Sequence, residues 1–228
     1  MLTSFFLTAF ALAPLAVALP MRLPSPAGAV QGRQDGFPAG FPNPFNPSNA
    51  PFPRDPAAAA CDTSKLQLPS SALAAPTGKL LMVALGQGTQ NYTCSDTSSA
   101  PASVGALAQL SDATCALASD PSITTSGLNT KVSAAVGTHF FLDATTPDFD
   151  VSTLGNTVVK KAQAADAPNA ASDVPWLRLT TQASGTTSQV KEIYRVNTVG
   201  GKAPASCAGQ TPGQVFTVPY EAQYWFFG

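Results

Sequence analysis

The stretch from Val174 to Cys207, VPWLRLTTQASGTTSQVKEIYRVNTVGGKAPASC, constrains the fold more than any other part of the chain. Two runs rich in β-branched and aromatic residues, Trp176 to Thr181 and Val190 to Val199, flank a polar Ser-Gly-Thr-Thr-Ser loop. A Gly-Gly turn then leads to Cys207. The pattern predicts a β-hairpin with a covalent staple at its exit. The last run, Val215 to Phe227, alternates in the same sense: Phe216, Val218, Tyr220, Ala222, Tyr224 and Phe226 share one face, and Thr217, Glu221 and Gln223 lie on the other. A strand crossing the core follows from that period of two.

Only 11% of the residues are charged and the formal net charge is −1, so a basic nucleic-acid surface is excluded. Small and hydroxylated residues fill the polar positions where a helical protein would carry Glu and Lys, which favours short strands and many turns. The first residues, MLTSFFLTAFALAPLAVALP, form an apolar run closed by a small-residue pattern at Ala16, Val17 and Ala18. They read as a signal peptide over residues 1–18. No later run reaches the roughly 20 apolar residues of a membrane span, so none is expected. Residues 19–60 are dense in proline and show no period of 2 or 3.6, as expected of a disordered linker or pro-segment. Its Phe-Pro pairs at Phe37, Phe41 and Phe52 offer a docking motif as the alternative.

The globular part is expected over residues 61–228 as one all-β domain, an antiparallel sandwich or barrel. Its first strand is read from Lys79 to Leu85, with Gly86-Gln87-Gly88 as a tight hairpin turn and a second strand through Tyr92. Ala106 to Leu110 reads as a short strand or a helical turn, and further strands are read at Val132 to Leu142 and Thr157 to Ala165. Ser111 to Lys131 is read mostly as loop, and Asp143 to Asp150, with Pro147, as a turn. Asn91-Tyr92-Thr93 is an N-glycosylation sequon. Cys61, Cys94, Cys115 and Cys207 match no zinc or CxxC spacing, and an even number in an exported chain predicts two disulfides. Spacing leaves all three pairings open.

His139 is the only histidine, so any histidine-based acid/base chemistry must use it, with Asp143 or Asp148 as the orienting carboxylate. That is the case for a small secreted hydrolase. The competing reading, a histidine packed beside Phe140 and Phe141 at a strand end, is the preferred one. Asp143, Asp148 and Asp150 invite a hard cation, but the ligand ladder and glycine of an EF-hand are missing, so they read as turn carboxylates and no metal is expected. Pairs drawn from Asp150, Glu192 and Glu221 carry no specific glycosidase signal. Arg195 with Asn197 and Thr198 makes either a polar pocket wall or a patch that holds the Gly200-Gly201 turn, and the second is preferred. Tyr220, Tyr224, Trp176 and Trp225 have the chemistry to stack on sugars, although aromatics in strands are more often core.

The segments GQGTQNYTC, GTHFF, VPWLRL, YRVNTVGGKAPASC and VPYEAQYWFF, in that order, resemble a secreted family known only as a domain of unknown function, found in fungi and bacteria. Its fungal members often carry the label malate dehydrogenase. The resemblance implies a β-rich secreted domain with no assigned catalytic residue or cofactor, and a pairing of Cys94 with Cys207 that leaves Cys61 with Cys115. After His139, where relatives carry a tryptophan and Asp-Gly-Ser, this chain has TPDFDVST, so a function placed on that turn does not carry over. The dehydrogenase label fails on the residues. Gly86-Gln87-Gly88 is followed by Asn91 where a dinucleotide fingerprint has its third glycine, and by a sequon instead of a helix start. The sequence thus points to a non-enzymatic extracellular module that needs no cofactor, with cell-wall polysaccharide or a host surface protein as its partner.

Overall fold

The computed structural model describes residues 61–132 and 134–228; the signal peptide and the Pro-rich segment read from the sequence lie outside the described residues. Eight strands follow one another as β1 (Leu80–Thr93), β2 (Ala102–Asp112), β3 (Ala135–Asp143), β4 (Thr146–Val151), β5 (Gly155–Ala165), β6 (Trp176–Thr181), β7 (Glu192–Gly200) and β8 (Val215–Phe227). Each pairs antiparallel with the next, and β8 returns to pair with β1, so the sheet closes into an up-and-down barrel. Closure leaves no edge strand to template aggregation.

Two apolar cores follow from strand alternation. One draws on all eight strands, including Ala84, Leu110, Phe149, Val159, Tyr224 and Phe226, with Phe141 packed against it, and is therefore the barrel interior. Eight strands enclose about the space that side chains can fill. The other lies outside, where Val83, Leu85, Tyr194, Val196, Trp225 and Phe227 of adjoining strands are covered by Leu73, Leu117 and Leu128. These come from the segment before β1 and from two short helices, α1 (Thr114–Ser119) and α2 (Thr125–Leu128). That cover explains why the two faces of β8 are both buried at its end.

The covering layer is anchored by polar contacts as well. Tyr194 donates its hydroxyl to the Ala74 carbonyl at 2.9 Å, and Glu192 accepts the Thr77 amide at 3.0 Å while pairing with Arg178. On the α2 side, Glu221 of β8 accepts from Ser126 at 2.8 Å and from Asn129 at 2.6 Å. Two disulfides, Cys61–Cys115 and Cys94–Cys207, hold the cover to α1 and the end of β1 to the segment before β8.

The structure changes three local readings. Gly86 and Gly88 do not turn the chain; they lie within β1, the strand read as two. A Cβ at Gly86 would meet the Tyr224 ring at 2.4 Å, and one at Gly88 the Leu107 carbonyl oxygen at 1.9 Å, so glycine here permits close approach. The Asp143 to Asp150 region turns only at its start and then forms β4. Pro147 is tolerated because pairing with β5 begins one residue later, at Asp148. The loop read at Ser111 to Lys131 contains α1 and α2.

Removing the Cys94–Cys207 bridge, which spans 113 residues of sequence, by a double serine substitution should cost about 5 kcal/mol, and removing Cys61–Cys115 about 4 kcal/mol, from the chain-entropy account of loop closure. Urea unfolding of the two double variants against the parent measures both losses.

Candidate functional site

Alternation along β3 sends His139 into the barrel, opposite Ala108 on one side and Phe149 on the other. It is 3% exposed. Its ring stacks on Phe149 with centroids 4.1 Å apart and planes 10° from parallel, and it tilts against Phe141 and Tyr224 at 5.5 and 5.4 Å. Nδ1 lies 2.8 Å from the backbone carbonyl oxygen of Asp148. A carbonyl can only accept, so Nδ1 carries a proton, and in the neutral ring Nε2 is the basic atom.

The carboxylates proposed as its partners point elsewhere. Asp148 follows the opposite alternation and faces outward, beneath the β6–β7 loop. It is 2% exposed; Oδ2 accepts from Asn156 Nδ2 at 3.2 Å, and Oδ1 has no protein partner. Asp143 sits at the β3–β4 turn. Its oxygens accept from the Thr145 amide and hydroxyl at 2.7 and 2.8 Å and from the Thr146 amide and hydroxyl at 2.9 Å each. Those bonds, led by the Thr145 amide, hold the Asp143 carboxyl below its usual range. His139 and Asp148 are therefore joined through a main-chain oxygen, and Asp143 is not brought to either. Asp150 is exposed, and among the described residues no cluster of three or more metal-ligating side chains forms.

The interior around His139 is polar in an ordered way. Arg195 of β7, cross-strand from Tyr224, is 8% exposed and forks onto the Pro175 carbonyl through Nε at 3.2 Å and Nη2 at 2.8 Å. Among the described residues the one ion pair is Arg178–Glu192, so the Arg195 guanidinium lies in the barrel without a carboxylate. Tyr220 and Tyr224 share a hydroxyl hydrogen bond of 2.8 Å. Burial pushes both phenols up, Tyr220 the further, so they stay neutral. Burial also lowers His139 to about 4, against the opposing pull of the Asp148 carbonyl and with a smaller push from the Arg195 charge.

A concave site of about 60 Å³ lies outside the barrel, where the covering segment and α1 meet β7 and β8; Leu66, Pro69, Ile123, Asn197, Gln223 and Trp225 are among its walls. It is organised by a β-bulge. Between Val196 and Val199 the β7–β8 register slips, and Asn197 takes φ 49°, the single positive φ of a non-glycine residue among those described. Asn tolerates the left-handed region better than most residues, and bulges re-aim side chains. Buried Thr125 of α2 fixes the bulge by donating to the Asn197 carbonyl at 2.6 Å. Trp225 Nε1 donates to Gln223 Oε1 at 3.2 Å, and Asn197 Nδ2 donates to the same oxygen at 3.0 Å. Sequence reading placed Gln223 on the polar face of β8 and Arg195, Asn197 and Thr198 together in one patch. It did not join Asn197 to Gln223 and Trp225, because nothing in the letters marks a bulge at Asn197.

The geometry defines a class: a closed, disulfide-stapled antiparallel barrel whose lone histidine is stacked inside and whose outer wall carries a small amide-lined concavity. Residues 74–228 match the family model described as protein of unknown function (DUF3455), and the chain belongs to that family. Neither a curated protein nor a solved structure matches it. No described helix is long and apolar enough to cross a membrane.

The buried ring sets a pH dependence. Folded His139 titrates near 4 and an unfolded histidine near 6.5, so the unfolded chain binds the proton first. Stability from this group is complete above pH 6.5, falls as pH drops towards 4 and is level below that, a loss of about 3 kcal/mol. His139→Phe keeps the aromatic stack and removes the titration. Its unfolding free energy should lose that slope between pH 6.5 and 4, as urea titrations across the range will measure.

Proposed function

We propose that the protein is an exported, non-catalytic binding module of the extracellular space: residues 1–18 are cleaved as a signal peptide, residues 19–60 serve as a Pro-rich linker or pro-segment, and residues 61–228 engage cell-wall polysaccharide or a host surface protein. The observation that carries the non-catalytic reading is the setting of His139. A general base needs an accessible nitrogen and a carboxylate or equivalent that orients the ring toward substrate. Here the ring is packed among Phe149, Phe141 and Tyr224, its Nδ1 proton serves a main-chain carbonyl, and the Asp143 and Asp148 carboxylates are turned away.

Two disulfides are consistent with an oxidising, extracellular compartment. The sequon residue Asn91 lies on the outer face of β1, partly exposed, which suits attachment of a glycan to a folded barrel. A secreted hydrolase using His139 gains no support from this arrangement. A dehydrogenase gains none either: every strand pairing is antiparallel, whereas dinucleotide binding of that kind uses a parallel sheet with crossover helices.

Two measurements test the reading. Purified chain incubated with ester, glycoside and malate/nicotinamide substrates should show no turnover above buffer, while co-sedimentation with insoluble wall polysaccharides or capture on a host-cell surface should retain it. Turnover that disappears in His139→Phe would reverse the assignment. Expression in a secreting eukaryotic host should give a single glycoform step on gels, lost in Asn91→Gln and on endoglycosidase treatment.

A further inference from the structure

We propose that the outer-wall site around Asn197 is a receptor for the acetamido group of an N-acetylated amino sugar. The inference deepens the wall-polysaccharide reading above and rests on it. Its basis is the direction of the hydrogen bonds in the site. An indole N–H can only donate, so the Gln223 atom facing Trp225 is the carbonyl oxygen. The Asn197 atom facing that same oxygen is then its NH2 group. Both lone pairs of Gln223 Oε1 are used. What the two amides have left to offer the site is a donor, Gln223 Nε2, and an acceptor, Asn197 Oδ1.

A donor beside an acceptor is the complement of a secondary amide, whose N–H would bond Asn197 Oδ1 and whose C=O would bond Gln223 Nε2. Of the remaining walls Gln67 is polar, and Leu66, Leu117 and Ile123 with the Trp225 ring are apolar and match a methyl group. Size selects further. A volume of about 60 Å³ accommodates roughly four water-sized groups, the heavy-atom count of an acetamido substituent. A peptide-bond amide within a chain carries a substituted carbon on both sides and is too bulky to enter end-on. An acetamido group on a sugar ring projects as a terminal methyl amide with the pyranose left outside.

The site is also held in place. Asn197 occupies the left-handed region within a bulge, a conformation asparagine adopts more readily than other side-chain-bearing residues, and the bulge re-aims its amide. Thr125 supplies that restraint from α2, and Gln223, only 1% exposed, is held by the indole. The amide pair is thus preorganised before any ligand arrives, which reduces the entropy lost on binding.

The full chain, titrated calorimetrically with triacetylchitotriose, should bind it at least tenfold more tightly than the deacetylated trimer or cellotriose. Nitrogen-15 spectra should show the Trp225 indole and Gln223 side-chain amide signals shifting on titration. Asn197→Gly suits a positive φ and removes the acceptor; it should melt at or above the parent temperature and lose at least tenfold in affinity. Equal binding of all three oligosaccharides, an N-acetylated peptide that outcompetes the sugar, or unchanged affinity in a folded Asn197→Gly variant would each overturn the acetamido assignment. Retention on glucan without a preference for acetylated sugar would overturn it too while leaving the polysaccharide reading in place; retention on no wall material would remove both.

Discussion

The seam between β1 and β8 is the contact on which the rest of the molecule depends. Pairing runs from Leu80 opposite Phe227 to Thr93 opposite Val215, and it turns an eight-strand meander into a closed surface. Without it, the inner residues of both strands, Ala84 and Tyr224 among them, would face water, and the outer ones would lose the surface that Leu73, Leu117 and Leu128 cover. The glycines of β1 belong to this seam. Gly86 leaves room for the Tyr224 ring to lie across the barrel, and that ring reaches His139 and Phe149. One missing side chain therefore admits the aromatic cluster that seals the histidine.

Inside and outside divide the chemistry. The barrel holds groups that are costly to bury, a guanidinium, two phenols and an imidazole, and keeps them there by directing each at a neutral partner: Arg195 to a carbonyl, Tyr220 to Tyr224, His139 to a main-chain oxygen. None of these partners is an acid. Among the described residues the ring thus has neither a carboxylate partner to share its proton nor a negative charge beside it that would raise its basicity. The outer wall has the opposite character, with amides locked in direction by an indole and a bulge. Function placed on the wall leaves the core free to be only a core.

How far the sequence could be read followed from how local each signal was. The alternation of Val215 to Phe227 marks β8 with the bounds the structure gives it, and the hairpin of β6 and β7 is equally plain, because period two is carried by adjacent letters. Gly86 and Gly88 misled because glycine marks both turns and close approaches, and only the positions of Tyr224 and Leu107, on other strands, distinguish them. Pro147 misled for a similar reason: its place just before the β5 register begins is a property of pairing. For the site, the burial of His139 followed from its apolar neighbours, but of the two expected to pack on it only Phe141 does; Phe140 alternates to the other face, and Phe149 and Tyr224 from other strands complete the packing. The turn of Asn197 onto Gln223 was not, since it depends on a register slip against another strand.

The seam joins the earliest strand of the barrel to the latest, so its two halves are made at opposite ends of synthesis. Strands β2 to β7 can pair with their neighbours as they emerge, but β1 has an unpaired flank until Phe227 has left the ribosome. The order of the strands thus delays completion of the barrel, and of every contact across its seam, until the last strand is available.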